Sequence, residues 1–401
     1  MFDFSHFLTD TQSIVFTALM VLALLFCCLY YGLFHFRIGR WHRKSKPQEN
    51  TDDQAKGSLP PVSVVLTAHN DVVWLKENLV YLLEQDYPDF EVVVVDYLSQ
   101  DDTASVLKLL KDYYPKLKIV PFVGNISVRE GVSSHEDVNL FQGKKYPLSI
   151  GIKSAKNDIL LLADPDCTPK NMQWLRGMVK GYLKKDTQIV LGFCGLNRTK
   201  TLLDALQQYD NLAYSSHYLG CALLGHPYTG SGRNLSYRRS FFFKRGAFIS
   251  HYSVAGGSDD LFIYQNATRS NTAISISDDA CLSTEPKKTF GEWNKLRRAR
   301  VSTRNWHSVG GRMMEDLLPM FTLLFYVMAA LLAVGGGMPW GVVLIAVVLK
   351  WAWQIVAFAQ LCKRFEAGWV YLAAPLFEIY FIIANTILVL TPLDNNRKFS
   401  K

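Results

Sequence analysis

Two acidic pairs stand out as groups able to do chemistry. The first is Asp164-Pro165-Asp166, directly after the apolar run Leu160-Leu161-Leu162-Ala163. Two carboxylates one residue apart at the exit of a buried strand suit a hard divalent cation such as Mg²⁺ or Mn²⁺. Such ions take oxygen ligands and keep waters and substrate phosphates in their shell. A metal held there would offset charge growing on a departing diphosphate. The same tripeptide is also an ordinary turn sequence, because Asp and Pro both favour turns. The second pair, Asp259-Asp260, follows Gly256-Gly257-Ser258. A carboxylate within hydrogen-bond reach of a hydroxyl can take its proton as that hydroxyl attacks. Acids also favour helix starts, so a helix opening at Leu261 accounts for the pair too, and both readings can hold at once.

These groups need a scaffold, and hydrophobic patterning supplies one. Strands are expected at Val62–Leu66, Phe90–Val95, Leu117–Phe122, Ile159–Ala163 and Gln188–Phe193. Between them the spacing predicts helices over Val72–Leu83, Thr103–Tyr113, Leu148–Ala155 (opened by Pro147) and Asn171–Tyr182. This alternation predicts an α/β domain with a mainly parallel sheet flanked by helices. Ligands of such sheets bind beyond the carboxyl ends of the strands. There the sequence places Thr67-Ala68-His69-Asn70-Asp71 after the first strand and Asp96-Tyr97-Leu98-Ser99-Gln100-Asp101-Asp102-Thr103 after the second. Their acids and amides can accept hydrogen bonds from a base or ribose. No glycine-rich phosphate loop of the dinucleotide or Walker type is present. His69 reads equally as a nucleotide neighbour and as a hydrogen-bonded structural histidine.

From Pro61 to Arg300 the chain resembles the family 2 inverting glycosyltransferases of GT-A fold, the group that includes cellulose, chitin and hyaluronan synthases. Pro61 through Asp71 resembles that family's first strand and nucleotide loop. Val95-Asp96, with Ser99 and Asp101-Asp102-Thr103, resembles its Val-Asp-Asp-Gly-Ser-x-Asp-x-Thr element, with Tyr97 in place of the second Asp and Leu98 in place of Gly. Gly143-Lys144 resembles the helix entry whose lysine approaches the nucleotide. Asp164-Pro165-Asp166 matches the metal-binding Asp-x-Asp. Gly230-Ser231-Gly232-Arg233-Asn234-Leu235-Ser236-Tyr237-Arg238 resembles the acceptor-side Gly-x-Asn-x-Ala-Tyr-Arg, where glycine lets backbone approach a sugar closely. The resemblance implies nucleotide-sugar binding by Ala68, Asn70, Asp71, Asp96, Lys144 and Asp164, and a metal on Asp164 and Asp166. It implies a general base at Asp260, with Asp259 as its reserve, and acceptor or diphosphate contacts from Gly232 and Asn234. The basic run Lys295-Leu296-Arg297-Arg298-Ala299-Arg300 lies where the family often carries Gln-x-x-Arg-Trp, here without the Gln and Trp in register. Arg297, Arg298 and Arg300 then read either as diphosphate contacts or as a basic interfacial helix beside anionic lipid.

Apolar segments flank this domain. Ile14 to Phe36 carries no charge and is long enough to cross a bilayer. Arg37, Arg40, Arg43, Lys44 and Lys46 follow it, which marks a retained anchor with its basic end in the cytoplasm. Leu317 to Leu349 is also uncharged and too long for one crossing. Gly335-Gly336-Gly337-Met338-Pro339 divides it, the second helix runs on through Lys350 to about Leu361, and a last segment runs from Trp369 to Leu393. Glu378 and Asn385 inside that segment are expected to face protein or a cavity. Three crossings would carry Arg397, Lys398 and Lys401 outside, against the positive-inside rule, so one segment is expected to be interfacial or re-entrant.

The domain plan is thus a 1–36 anchor, a 37–60 basic and polar linker, a 61–312 cytoplasmic catalytic domain, and a 313–401 membrane region with about three hydrophobic segments. The net charge of +8 gathers beside hydrophobic segments, which fits anionic membrane lipids rather than nucleic acid. Seven cysteines without a Cys-x-x-Cys pair argue against a zinc site or a disulfide framework and fit a reducing compartment. The expected activity is sugar transfer, with inversion, from a nucleoside diphosphate sugar (UDP being the family's common carrier) to a lipid-linked or glycan acceptor at the cell membrane. Two rivals remain at this stage: a processive polysaccharide exporter, and a non-catalytic membrane scaffold on a decayed transferase fold.

Overall fold

A computed structural model describes residues 9–41, 59–122, 143–197, 200–252, 254 and 256–391. Most of the expected linker, with Arg43, Lys44 and Lys46, and the terminal Arg397, Lys398 and Lys401 lie outside the described residues. The chain divides into two compact units. One is Met1–Lys44, Lys200–Gly220 and Arg304–Leu393, and the other is Ser45–Thr199, Cys221–Thr303 and Asp394–Lys401.

Among the described residues the second unit has ten strands: β1 (Val62–Ala68), β2 (Phe90–Asp96), β3 (Leu117–Pro121), β4 (Ile159–Leu162), β5 (Cys167–Pro169), β6 (Ile189–Leu191), β7 (Cys194–Leu196), β8 (Leu235–Arg238), β9 (Thr272–Ile274) and β10 (Leu282–Thr284). Seven form one sheet in the order β3-β2-β1-β4-β8-β6-β9, and β5-β10-β7 form a second. All seven residues of β1 are buried, as its near-continuous apolar run requires of a strand covered on both faces. Val62, Val64 and Leu66 pack with Leu75, Leu79 and Leu82 of the helix Val72–Leu83. The helix Lys145–Ser154 covers the other face, where a Cβ on Gly151 would lie 2.7 Å from a Val65 methyl. Only glycine allows so close an approach.

Register decides what meets at the sheet's edge. β1 and β2 run parallel with Ala68 opposite Asp96, and β1 and β4 run parallel with Val65 opposite Leu162. The loops after β1, β2 and β4 therefore open at one end. β8 is antiparallel to β4 and β6, so the sheet is mostly parallel with one reversed strand. That reversal pairs Leu235 with Leu162 and brings Gly232, Arg233 and Asn234, which enter β8, to the end where Asp164 leaves β4. In the small sheet Thr284 pairs with Cys167, so the chain leaving β10 toward Lys287 passes Asp166. Two expected helices have different bounds. One starts at Lys145 rather than Leu148, with Pro147 in the first turn, where its missing N–H has no helical partner to lose. The other starts at Trp174, because Asn171 holds the preceding residues in a turn by accepting from the Gln173 N–H, and it tightens into a 3₁₀ turn at Lys180–Leu183.

Among its described residues the first unit contains four helical segments long and apolar enough to cross a membrane: Asp10–Gly39, Glu315–Val334, Trp340–Phe365 and Gly368–Leu390. Thr9 opens the first with a capping box to Gln12. Met20 and Ala23 of that helix pack with Phe325, Met328, Ala329 and Leu332 of the next. A Cβ on Gly39 would meet the Gln360 backbone at 2.6 Å, so glycine sets how closely the end of the first segment approaches Trp340–Phe365. Pro339 caps the third helix, as the Gly-Gly-Gly-Met-Pro break predicts. Lys350, fully buried, donates to Glu378 at 2.7 Å and to the Tyr31 hydroxyl at 3.1 Å. Tyr31 and Thr322 both donate to Glu378, so all four segments contribute to one buried polar cluster. Glu378 thus faces protein as expected, whereas Asn385 is exposed.

Candidate active site

The loop after β1 and the loop after β2 are tied into one structure. Asn70 has left-handed backbone (φ 55°); its N–H donates to Ser99, and its side-chain oxygen accepts from the Gln100 N–H at 2.8 Å. Asp101 accepts from the Val72 and Thr103 N–H groups, which holds the start of the helix Val72–Leu83. Asp71 is buried and accepts from the His69 N–H at 2.9 Å. Ala68 is buried, and its carbonyl accepts from the Tyr97 N–H. Tyr97 stacks on His69 with ring centres 5.1 Å apart, and the His69 ring bonds the Tyr97 carbonyl at 2.9 Å. His69 is therefore structural here, and Tyr97 fills the site of the family's second acid with a packed ring. Leu98 adopts φ 54° at the position where the resembled family carries glycine. Asp96 keeps one buried carboxylate oxygen without a protein partner. Leaving a buried acceptor unmet is costly, so an unmet one at a strand exit marks a place for a ligand donor.

Beyond β4 two carboxylates lie among three cations. Lys144, at the entry of the helix Lys145–Ser154, donates to Asp164. Arg233 lies 3.7 Å from a carboxylate oxygen of Asp164 and 3.7 Å from one of Asp166. Lys287 reaches Asp166 at 3.2 Å. Burial works against the Lys144 charge, but the charge of Asp164 and its hydrogen bond more than offset this and raise the lysine's pKa. Arg233 is raised in the same way, burial being outweighed by Asp166 and Asp164 together with the nearby thiols Cys167 and Cys194. Asp164 and Asp166 converge on a single guanidinium, so both carboxylates face the same cation. Among the described residues no cluster of three or more His, Cys, Asp or Glu forms. Two carboxylates are nevertheless what Mg²⁺ or Mn²⁺ uses when substrate phosphates and water complete its shell, so the donor set fits.

The second acidic pair lies beside the same helix entry. Asp259 accepts the Gly232 N–H at 2.6 Å. A Cβ on Gly232 would meet that carboxylate at 3.0 Å, which explains the glycine. Asp260 opens the helix Asp260–Asn266 and accepts its own next N–H, from Leu261, at 2.8 Å. Burial, then the charge of Asp259, push Asp260 up to about 7, against the hydrogen bonds from Thr303 and Leu261 and the charge of Lys145. Lys145 is buried and donates to the His251 and Val254 carbonyls. Burial pulls its ammonium down to about 8, against Asp260 and Asp259. Two consecutive lysines thus link the sites, Lys144 at Asp164 and Lys145 in the field of Asp260. A carboxylate poised near neutrality is the form a general base needs.

Other expected residues sit differently. Asn234 is buried; it donates to the Phe193 and Ala280 carbonyls at 2.8 Å each and accepts from the Trp174 indole at 3.2 Å. Its side-chain hydrogen bonds go into the fold, where it pins the entry of β8. Arg297 is buried over the Trp293 ring at 5.0 Å, Arg298 is half-buried and Arg300 is exposed. Their helix, Phe290–Ser302, ends at Thr303, which bonds Asp260. Arg233, Lys287 and Lys145 were not foreseen. Arg233 lies inside a recognised motif and Lys145 next to Lys144, so both had a positional signal. Lys287 had only its place after a short strand.

A glycosyl transferase family 21 model matches residues 19–384. The chain belongs to glycosyl transferase family 21. The family 2 resemblance holds at the coarser level of a GT-A-like glycosyltransferase, and the matching family is 21. Among curated proteins, the probable glycosyltransferase YdaM of Bacillus subtilis is 26% identical over 189 residues, covering 46% of this chain and 39% of that protein. Glycosyltransferase AglE of Haloferax volcanii is 31% identical over 120 residues, 29% of this chain and 34% of that one. The match thus spans well under half of either relative. The mannosyltransferase PcManGT of Pyrobaculum calidifontis, solved with GDP-Man and Mn²⁺, superposes with TM-score 0.56 at 18% identity, over 93% of this chain and 99% of that one. That likeness is one of fold.

Proposed function

We propose that this family 21 protein is a membrane-bound transferase that moves a sugar from a nucleoside diphosphate sugar to a hydroxyl of a lipid-linked or glycan acceptor, with inversion at the anomeric carbon. The observation that carries the reading is Asp260, a carboxylate raised to about 7 beside a pair of carboxylates ringed by cations. Asp96, with its unmet buried oxygen, takes a donor group of the nucleotide. Asp71, Ala68 and Asn70 shape the loop beneath it. Asp164 and Asp166 hold Mg²⁺ or Mn²⁺, which when bound supplies positive charge to the leaving diphosphate. Lys144, Arg233 and Lys287 add cationic contacts to the same group, and cations of this kind are strong partners for phosphate. Asp260 takes the acceptor hydroxyl's proton, while Asp259 and Gly232 fix the loop that borders the acceptor. The four apolar segments would anchor the protein in a cell membrane, and the basic end of the first, Arg37 and Arg40, supports a cytoplasmic catalytic domain.

The test is nucleoside diphosphate release by the detergent-purified full chain with UDP-, GDP- and dTDP-sugars, Mn²⁺ or Mg²⁺, and membrane lipid extract. The GDP-Man and Mn²⁺ bound by the Pyrobaculum enzyme are the reason to include that pair. Metal-dependent release with one donor, lost in Asp164→Ala and in Asp260→Asn, is expected. Unchanged turnover in Asp260→Asn would remove Asp260 from the role of base. Nucleotide binding without release, with every donor and with extract present, would favour a scaffold instead.

A further inference from the structure

Arg233 stands where a cation shared by Asp164 and Asp166 would stand, at 3.7 Å from each carboxylate. It is not a surface ion pair, because its side chain is only 22% exposed and Asp166 only 13%. Lys144 and Lys287 complete a set of three cations around two carboxylates. Both carboxylates therefore already have cationic partners within the chain. A divalent metal arriving alone must displace Arg233 from two carboxylates at once and leave a guanidinium without an anion. A diphosphate arriving alone must draw the same cations away from their carboxylates. When both arrive together, the carboxylates pass to the metal and the cations to the phosphate oxygens, and every charge keeps a partner.

We propose that Arg233 is a place-holder cation that makes metal binding conditional on the nucleotide diphosphate. The inference rests on the metal and nucleotide assignment proposed above and adds an order to it: metal and diphosphate bind as a coupled pair, each weakly alone. Such coupling is reciprocal, so each ligand must tighten the other by the same factor. Arg233 acts here by exchanging partners, and its neighbour in sequence, Asn234, keeps the loop in place through its own bonds to the Phe193 and Ala280 carbonyls.

The experiment titrates the full chain in detergent with Mn²⁺, following free Mn²⁺ by electron paramagnetic resonance, alone and with saturating UDP or GDP. Wild type should bind Mn²⁺ weakly alone and about tenfold more tightly with the nucleotide it accepts, a coupling of ordinary size. Arg233→Gln should bind Mn²⁺ alone about tenfold more tightly than wild type, with the nucleotide effect reduced to match. Arg233→Lys, which keeps a charge, should stay near wild type. Lys287→Gln, which removes one of the cations beside Asp166, should shift the same way by less and serves if Arg233→Gln does not fold. Nucleotide-tightened binding in wild type, with Mn²⁺ binding alone unchanged or weaker in the Gln variants, would overturn the place-holder and leave the proposed function standing. If wild type bound no more Mn²⁺ than Asp164→Ala with either nucleotide, the metal assignment would fall, and this inference with it.

Discussion

Asp260 offers a stability test that needs no substrate. Its carboxyl is pushed from an ordinary value of 3.8 up to about 7 in the folded protein. Between those values the unfolded chain has lost the proton and the folded chain still holds it. Stability therefore falls as pH rises through this window, by about 1.4 kcal/mol per pH unit, and levels off above the folded value. Over the window the loss approaches about 4 kcal/mol, an upper figure because the folded site relaxes around the charge. Asp260→Asn keeps the shape and removes the titration. Relative to wild type, its stability should thus improve with pH, by roughly 2–3 kcal/mol more at pH 8 than at pH 5. For a unit of this size that is a widening of several degrees in the Tm difference. Thermal unfolding of both proteins in detergent at the two pH values reads it, together with the smaller shift that loss of the Asp260 charge causes at Lys145. A Tm gap that is equal at both pH values, or larger at pH 5, would refute the raised carboxyl and remove the physical ground for Asp260 as base.

The remaining predictions concern the same site and its supports. Transfer activity should rise with pH through about 7, because the base must lose its proton. Asp259→Asn, which removes a like charge, should move that midpoint down, and Thr303→Val, which removes a hydrogen bond to the carboxylate, should move it up. A pH–rate profile that stays in place in both variants would count against this electrostatic account. Asn234→Ala strips partners from two buried carbonyls and an indole N–H, and should cost roughly 2–4 kcal/mol by denaturant unfolding. In the apolar unit, Glu378→Gln or Lys350→Met alone should destabilise by about 3–5 kcal/mol by leaving one buried charge unpaired. The double variant should recover much of that loss, and thermal unfolding of all three in detergent would show whether it does.

Most of the scaffold was legible along the chain. Strand positions followed from valine and leucine runs, because a strand covered on both faces must be apolar at nearly every residue. The bounds of Val72–Leu83 and Thr103–Tyr113 emerged because helical periodicity is local. The acids also announced themselves, since strand exits are where an α/β sheet offers groups to a ligand. Other features depend on partners far apart in sequence. Lys287 meets Asp166 across 121 residues and Lys145 meets the His251 carbonyl across 106, so no local pattern could pair them. β8 was equally hidden, because Leu235-Ser236-Tyr237-Arg238 is too short and too polar to read as a strand; only pairing with β4 and β6 makes it one and carries Arg233 to the carboxylates. Asn234 shows the same limit in reverse. Its motif suggested a sugar contact, while the fold spent its donors on two carbonyls. Composition and periodicity determined the principal strands and helices, their order and the candidate acids, since these follow from short-range sterics and burial. Tertiary packing decided the charge environment of each acid, because a carboxylate's proton affinity depends on burial and on neighbours that only the folded chain brings within a few ångströms.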